Sequence, residues 1–326
     1  MERLLSGSSS MASRSADYSE NFMYDEPLFS VVIPTYNRER MIPVTLETVF
    51  AQTYRRYEVI VVDDCSTDGT EKALESHINA GRIKYLKHDR NYERAQARNT
   101  GMDQASGDFL TFLDSDDFMY AESLEDAANF IKTNPGIKFF HSLYHLVDSN
   151  NRVIYRYKFP SLDDRWRAIT DGNFLSCHGV FIHRDIYRRY RFDVNPILTA
   201  SEDWEFWIRV LADYEVRRIE KINTAVVHHA GRSIKHLDFE QLRQRMSYIV
   251  EKVRSDPHLY SVYRRYLKRL EIGSLIYMST VANASRDHAA ALRCLIRAAA
   301  KDLRVTASVN FAKSLGVAIF QIDKGF

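Results

Sequence analysis

The sequence predicts an α/β fold: a mostly parallel, doubly wound sheet with a small antiparallel element, followed by a C-terminal helical extension. Two observations carry this. Short apolar runs alternate with amphipathic segments over residues 29–133, the pattern of strands crossed over by helices on both faces of a parallel sheet. Three of those runs then end in polar or acidic sets, Pro34 to Asn37, Asp63-Asp64 and Asp114 to Asp117. In such sheets ligands bind at the carboxyl ends of the strands, so all three sets are expected to meet in one crevice.

The elements follow in order. Residues 29–34 read as a strand, and residues 38–53 as a helix with Ile42, Leu46, Val49 and Phe50 on one face. Residues 57–62 form a second strand, and Ser66 or Asp68 can cap a helix over 71–79. A weaker strand at 82–87, a helix at 93–104 and a strand at 107–113 come next. Residues 121–133 are helical, and 137–147 with 153–159 form a hairpin about Asp148-Ser-Asn-Asn-Arg152. Residues 160–172 read as irregular, 173–183 as a strand and 184–190 as a short helix. Trp204, Trp207, Ile208 and Leu211 recur at helical spacing, which places Glu202 and Asp203 in the first turn of a helix. A strand at 216–227 ends in His228-His229, and helices are expected at 238–254, 257–281, 286–301 and 304–319.

Bulk properties narrow the function. The chain has 326 residues, 45% hydrophobic and 27% charged, with a net charge of +2, a balance that argues against bulk nucleic-acid binding. Cys65, Cys177 and Cys294 are scattered, without metal-type spacing or a disulfide framework, which indicates a reducing compartment. No run of about 18 uncharged apolar residues occurs. Residues 1–26 are Ser-rich, lack the apolar core of a secretory signal and are expected to form a disordered leader. Residues 251–326 carry a net +7, against −5 for the rest, so the tail suits an anionic surface.

The chemistry concentrates at Asp114, Asp116 and Asp117, three carboxylates within four residues. Carboxylates this close repel one another and call for a cation. An all-oxygen set suits Mg²⁺ or Mn²⁺. The plainer alternative is an acidic turn with Asp117 as a helix N-cap. No Gly-x-Gly-x-x-Gly follows the first strand, and there is no Walker loop.

Five motifs together resemble the family 2 inverting glycosyltransferases, which have the A-type (GT-A) fold. They are Val31-Val-Ile-Pro-Thr-Tyr-Asn37, Val59-Ile-Val-Val-Asp-Asp-Cys-Ser-Thr-Asp-Gly-Thr70, Ala97-Arg-Asn-Thr-Gly101, the run from Gly107 to Asp117, and Glu202-Asp-Trp204. The resemblance spans about residues 28–235. Glu93 and Cys65 depart from it, at positions that carry no chemistry.

The resemblance implies a nucleotide-sugar donor, UDP-linked, with Mn²⁺ or Mg²⁺ on its diphosphate and a glycan or lipid-linked glycan as acceptor. It makes Asp116 the leading metal ligand, with Asp114 toward the ribose or sugar and Asp117 an alternative ligand. Pro34, Thr35, Tyr36, Asn37 and Ser115 would line the nucleotide sugar, and Asp63 or Asp64 would accept from a uracil N3–H. Asp203 becomes the general base, with Glu202 orienting it or touching the sugar. Trp204 is expected near the acceptor and Trp207 in the core. Of the two histidines His229 is favoured as the metal ligand, with Arg232 and Ser233 on the phosphates. Arg98 is either a diphosphate or base contact or a helix-surface partner for an acid, and Cys177 and His178 are assigned to the acceptor side. A GT-A domain over 27–235 and a helical extension over 236–326 are expected. The extension would dock on an anionic membrane surface or form a homodimer interface, in a cytoplasmic enzyme peripheral to the inner face of the membrane. A silent sugar-binding scaffold and a nucleotidyltransferase are the competing readings. The second lacks a Gly-rich basic loop after the first strand.

Overall fold

The structure is a computed structural model that describes residues 26–229 and 238–320. The expected leader, apart from Glu26, and the phosphate contacts Arg232 and Ser233 lie outside the described residues.

The strands are β1 (Phe29–Thr35), β2 (Tyr57–Asp63), β3 (Lys84–Lys87), β4 (Phe109–Phe112), β5 (Phe118–Met119), β6 (Phe139–Val147), β7 (Val153–Arg156), β8 (Val180–His183) and β9 (Arg217–Val227). They form one sheet in the order β3-β2-β1-β4-β8-β6-β9-β5, with β7 added to β6. The pairs β1–β2, β1–β4, β2–β3 and β6–β9 are parallel. The pairs β4–β8, β5–β9, β6–β7 and β6–β8 are antiparallel. The antiparallel share is therefore larger than expected, because the second half of the sheet is built from β8 and two short edge pieces.

The helices are α1 (Ile42–Phe50), α2 (Thr70–Asn79), α3 (Glu93–Gln104), α4 (Ser123–Thr133), α5 (Arg165–Asp171), α6 (Arg184–Arg189), α7 (Glu202–Asp213), α8 (Phe239–Ser255), α9 (Pro257–Tyr263), α10 (Leu267–Ala284), α11 (His288–Lys301) and α12 (Val309–Phe320). They cover both faces of the sheet. Successive strand residues point to opposite faces, and β1 shows it: Val31 and Ile33 pack with Leu46, Val49 and Leu124, whereas Val32 packs with Ala97, Met102 and the α7 side. Being buried on both faces, β1 reads as an unbroken apolar run. Helix α3 lies close on this strand. A Cβ on Gly101 would meet Val32 Cγ1 at 2.2 Å, so only glycine lets α3 sit where it does.

Three expectations need correction. Residues 160–172 hold α5, whose N-cap Asp164 accepts from Arg167 N–H. The strand expected over 173–183 is confined to β8, after Gly179, which adopts φ +77°. The helix expected over 257–281 is two, α9 and α10, and a 3-10 turn at Leu303–Ala307 precedes α12. Leu242, Met246, Ile249, Tyr263 and Leu270 of the C-terminal helices share one core with Phe206, Trp207 and Leu211 of α7.

Candidate active site

The carboxyl ends of β1, β2 and β4 lie side by side, so the three polar sets meet at one edge. The β4 end is the richest. Asp116 Oδ2 lies 2.9 Å from His229 Nε2 and 3.4 Å from Arg38 Nη2. His229, rather than His228, thus reaches the acidic loop from the end of β9. Asp117 is fully buried. Its Oδ1 accepts from the Val227 N–H at 2.8 Å, and its Oδ2 lies 3.4 Å from His178 Nδ1. Ligand atoms of Asp114, Asp117 and His178 all fall within 4.8 Å of one another. Two adjoining donor sets follow: Asp116 with His229 on the open side, and Asp114, Asp117 and His178 beneath. Ser115 is buried between them in sequence.

Asp114 is held by Arg98. Arg98 is only 2% exposed, and it donates from Nη2 to Asp114 Oδ1 at 2.9 Å and from Nη1 to Glu202 Oε1 at 2.7 Å. Burial opposes charging of Asp114, but Arg98, His178 and Arg94 outweigh it and keep the carboxyl well below the usual range. Arg98 therefore departs from the surface pairing considered above: it is a buried bridge between the acidic loop and the first turn of α7. Arg94 adds a second cation, 3.7 Å from Glu202 Oε1.

On α7, Asp203 accepts from Asn173 Nδ2 at 2.9 Å and from the Trp204 N–H at 2.8 Å. Burial and the neighbouring Glu202 push its carboxyl up to about 6, against the pull of Arg98. Such a group can take up a proton near neutral pH. Trp204 differs from expectation. Its ring is 6% exposed and its Nε1–H donates to the Ile169 carbonyl at 2.8 Å, so it anchors α5 and offers no face to a sugar. Trp207 is fully buried and stacks on Phe139. Cys177 is buried, and burial pushes its thiol well up.

On the nucleotide side Pro34 and Thr35 are buried, Tyr36 is 42% exposed, and Asn37 takes φ +52°. The Asn37 turn is clamped to the β2 end by its N–H on Ser66 Oγ and by Thr67 N–H on its Oδ1. Asp63 spends both oxygens internally, on the Ser66 N–H and the Tyr85 hydroxyl. That removes it as a base contact. Asp64 Oδ1 accepts from His88 Nδ1 at 2.7 Å and from the Tyr92 N–H at 2.9 Å. His88, Arg94, Arg38 and Asn173 were not singled out above. His88 alone carried a signal, since it follows a strand that ends at the same edge.

Comparison with known proteins matches this geometry to a family. The sequence model described as Glycosyl transferase family 2 matches residues 30–191. The Escherichia coli protein WfgD, named a UDP-Glc:alpha-D-GlcNAc-diphosphoundecaprenol beta-1,3-glucosyltransferase, is 31% identical over 196 residues, covering 60% of this chain and 74% of WfgD. The chain belongs to glycosyl transferase family 2, has the GT-A fold and is a glycosyltransferase. Among solved structures, residues 1–349 of Staphylococcus aureus TarS in complex with UDP-GlcNAc superpose with a TM-score of 0.61 at 23% identity, over 89% of this chain and 91% of that one. Full-length TarS is longer, and the chain spans 55% of it. The mannosyltransferase PcManGT from Pyrobaculum calidifontis, in complex with GDP-Man and Mn²⁺, gives 0.55 at 17% identity, over 91% and 88% of the two chains. At these identities the likeness is one of fold.

Proposed function

We propose that this glycosyltransferase is metal-dependent and inverting, and moves a hexose or N-acetylhexosamine from a UDP-sugar to a glycan or lipid-linked glycan. The observation that carries the reading is Asp203, a carboxyl raised to about 6 and joined through Glu202 and buried Arg98 to the acidic loop. The names of relatives support the substrates: UDP-Glc and a diphosphoundecaprenol acceptor for WfgD, and bound UDP-GlcNAc for TarS.

Asp203 takes the proton of the acceptor hydroxyl. That oxygen bonds to the anomeric carbon while the bond from this carbon to the diphosphate oxygen breaks on the opposite face, and the nucleoside diphosphate leaves with the electron pair. Positive charge spreads over the ring carbon and oxygen as this happens, as in glycoside hydrolysis. Asn173 and the Trp204 N–H fix the two oxygens of Asp203, and Arg98 anchors Glu202 beside it.

The residues present fit a hard divalent cation, since an Asp116 oxygen and a His229 nitrogen already converge within 2.9 Å on the open side of the loop. We assign Mn²⁺ or Mg²⁺ to Asp116 and His229, with Asp114 or Asp117 as further ligands. When bound, such an ion offsets the charge of the leaving diphosphate. Tyr36 presents an exposed ring to the base above Pro34, Thr35 and Asn37, Asp64 accepts from the uracil N3–H, and Ser115 lies beside the sugar. We also take residues 27–235 as the catalytic unit and 236–326 as its extension. On the extension, α11 exposes Arg293, Ile296 and Arg297 at helical spacing, a surface suited to anionic lipid at the inner face of the membrane. No helix among the described residues is long and apolar enough to cross a membrane.

Calorimetry of UDP binding with and without Mn²⁺, on the intact chain and on Asp116→Ala, tests the donor half. UDP affinity indifferent to both Mn²⁺ and the substitution would overturn the metal assignment. A survey of nucleotide sugars by thermal shift then identifies the donor.

A further inference from the structure

The hairpin of β6 and β7 has two unlike faces. Leu146 pairs with Tyr155, and His145 with Arg156. Side chains alternate across a strand, so Tyr144, Leu146, Tyr155 and Tyr157 fall on one face and His145 and Arg156 on the other. The second face is committed to the fold, with His145 Nε2 2.7 Å from the Tyr120 hydroxyl. The first is a run of rings. Centroids of Tyr155 and Tyr157 are 5.0 Å apart, those of Tyr157 and Tyr144 are 4.7 Å apart, and Tyr144 meets His178 edge to face at 5.5 Å.

Exposure falls along that run, from 54% at Tyr155 through 37% at Tyr157 to half-buried Tyr144. The run starts in solvent and ends at the catalytic edge, where His178 adjoins Asp117. It also lies within electrostatic reach of the base: burial, Tyr157 and Asp203 together raise the Tyr144 phenol. Strands at a sheet edge are ordinarily blunted with charge. This one exposes Val153, Ile154 and Tyr155 in sequence instead. A contiguous apolar patch that leads into a polar crevice marks a binding site.

We infer that this tyrosine face is the acceptor subsite, a platform on which a pyranose ring of the acceptor glycan lies while the adjoining hydroxyl reaches Asp203. A pyranose presents axial C–H groups on its faces and hydroxyls at its rim. Tyrosine matches both, with an apolar ring and a polar tip. Three tyrosines in series suit an acceptor of more than one sugar. The inference rests on the transferase reading above and adds the place where the acceptor is held.

The test uses the full chain with UDP and Mn²⁺ and a panel of methyl pyranosides: glucose, galactose, mannose, rhamnose, N-acetylglucosamine and N-acetylgalactosamine. Saturation-transfer NMR is expected to detect at least one of them. The signal should fall about tenfold in Tyr155→Ala/Tyr157→Ala and persist in Tyr155→Phe/Tyr157→Phe, with UDP affinity and melting temperature unchanged in both variants. An unchanged pyranoside signal in the alanine variant, or no signal from any pyranoside, would overturn the subsite. A change in the alanine variant's gel-filtration mass without loss of sugar binding would assign the face to a second copy of the chain and overturn it too. Failure of the unaltered chain to bind UDP strikes the donor reading instead, and is separable because it is read before any sugar is added.

Discussion

Two acidic clusters face each other across Arg98, and their carboxyls are tuned in opposite directions. Asp114, after β4, is held well below the ordinary carboxylate range, chiefly by Arg98 against the cost of burial. Asp203, in the first turn of α7, is pushed up to about 6 by burial and Glu202. One guanidinium serves both sides, but it bonds directly to Asp114 and reaches the α7 turn through Glu202. The difference is one of task. A group that must hold positive charge stays ionised at every working pH, and a group that must accept a proton is poised close to neutrality.

Replacing the base is the strongest way to break that division of labour. Asp203→Asn is expected to lower the transfer rate by about 10²–10⁴-fold and to leave UDP binding within about twofold, read by a coupled UDP-release assay beside calorimetry. In the unaltered enzyme kcat/KM should fall as pH drops through about 6, because Asp203 is then protonated. A rate flat from pH 7.5 to 5 would remove Asp203 from the role.

Arg98→Gln attacks the bridge itself. It leaves Glu202 and Asp114 facing each other without their shared cation, at a cost of about 3–5 kcal/mol in urea unfolding. The Asp203 pH limb should also move upward, since Arg98 lowers that group. Chelation of divalent ions should weaken UDP binding at least tenfold, with recovery on adding Mn²⁺.

A smaller effect concerns stability alone. The folded pKa of Asp203 lies above its unfolded value, so the folded state binds more protons between roughly pH 4 and 6, and stability drops as pH rises through that window. Asp203→Asn should therefore melt higher than the parent at pH 7.5, and the gap should close below about pH 4. The smallest expected effect is on lipid: Arg293→Glu/Arg297→Glu should reduce sedimentation with anionic vesicles and leave soluble transfer untouched, the loss being about 1 kcal/mol per arginine removed.

Much of this was legible before any coordinates. β1 and β2 are buried over most of their length, so their apolar runs stand out, and α3 falls at 93–104 as its spacing implied. Other elements left weaker traces. α5 has seven residues and depends on Asp164, which Tyr266 also contacts from far along the chain. β5 has two residues and exists only because β9 lies beside it. At the site, residue type announced the acids but not their allegiance. Asp63 and Asp64 are adjacent and alike in sequence, yet Tyr85 occupies one and His88 the other. Trp204 and Trp207 both suited a sugar face or a core, and only packing showed that each is core.

The bond from the Val227 N–H to Asp117 Oδ1 has a topological consequence. It joins residues 110 apart in sequence, one beside Asp116 and the other two residues before His229. Everything between them is an excursion that leaves the acidic loop and is handed back to it. The donor-side motifs at β1, β2 and β4 lie outside that excursion, and the tyrosine hairpin and α7 lie within it. Lengthening or exchanging segments of the excursion can thus change what is glycosylated while Asp116 and His229 stay in register, a modular boundary drawn by a single hydrogen bond.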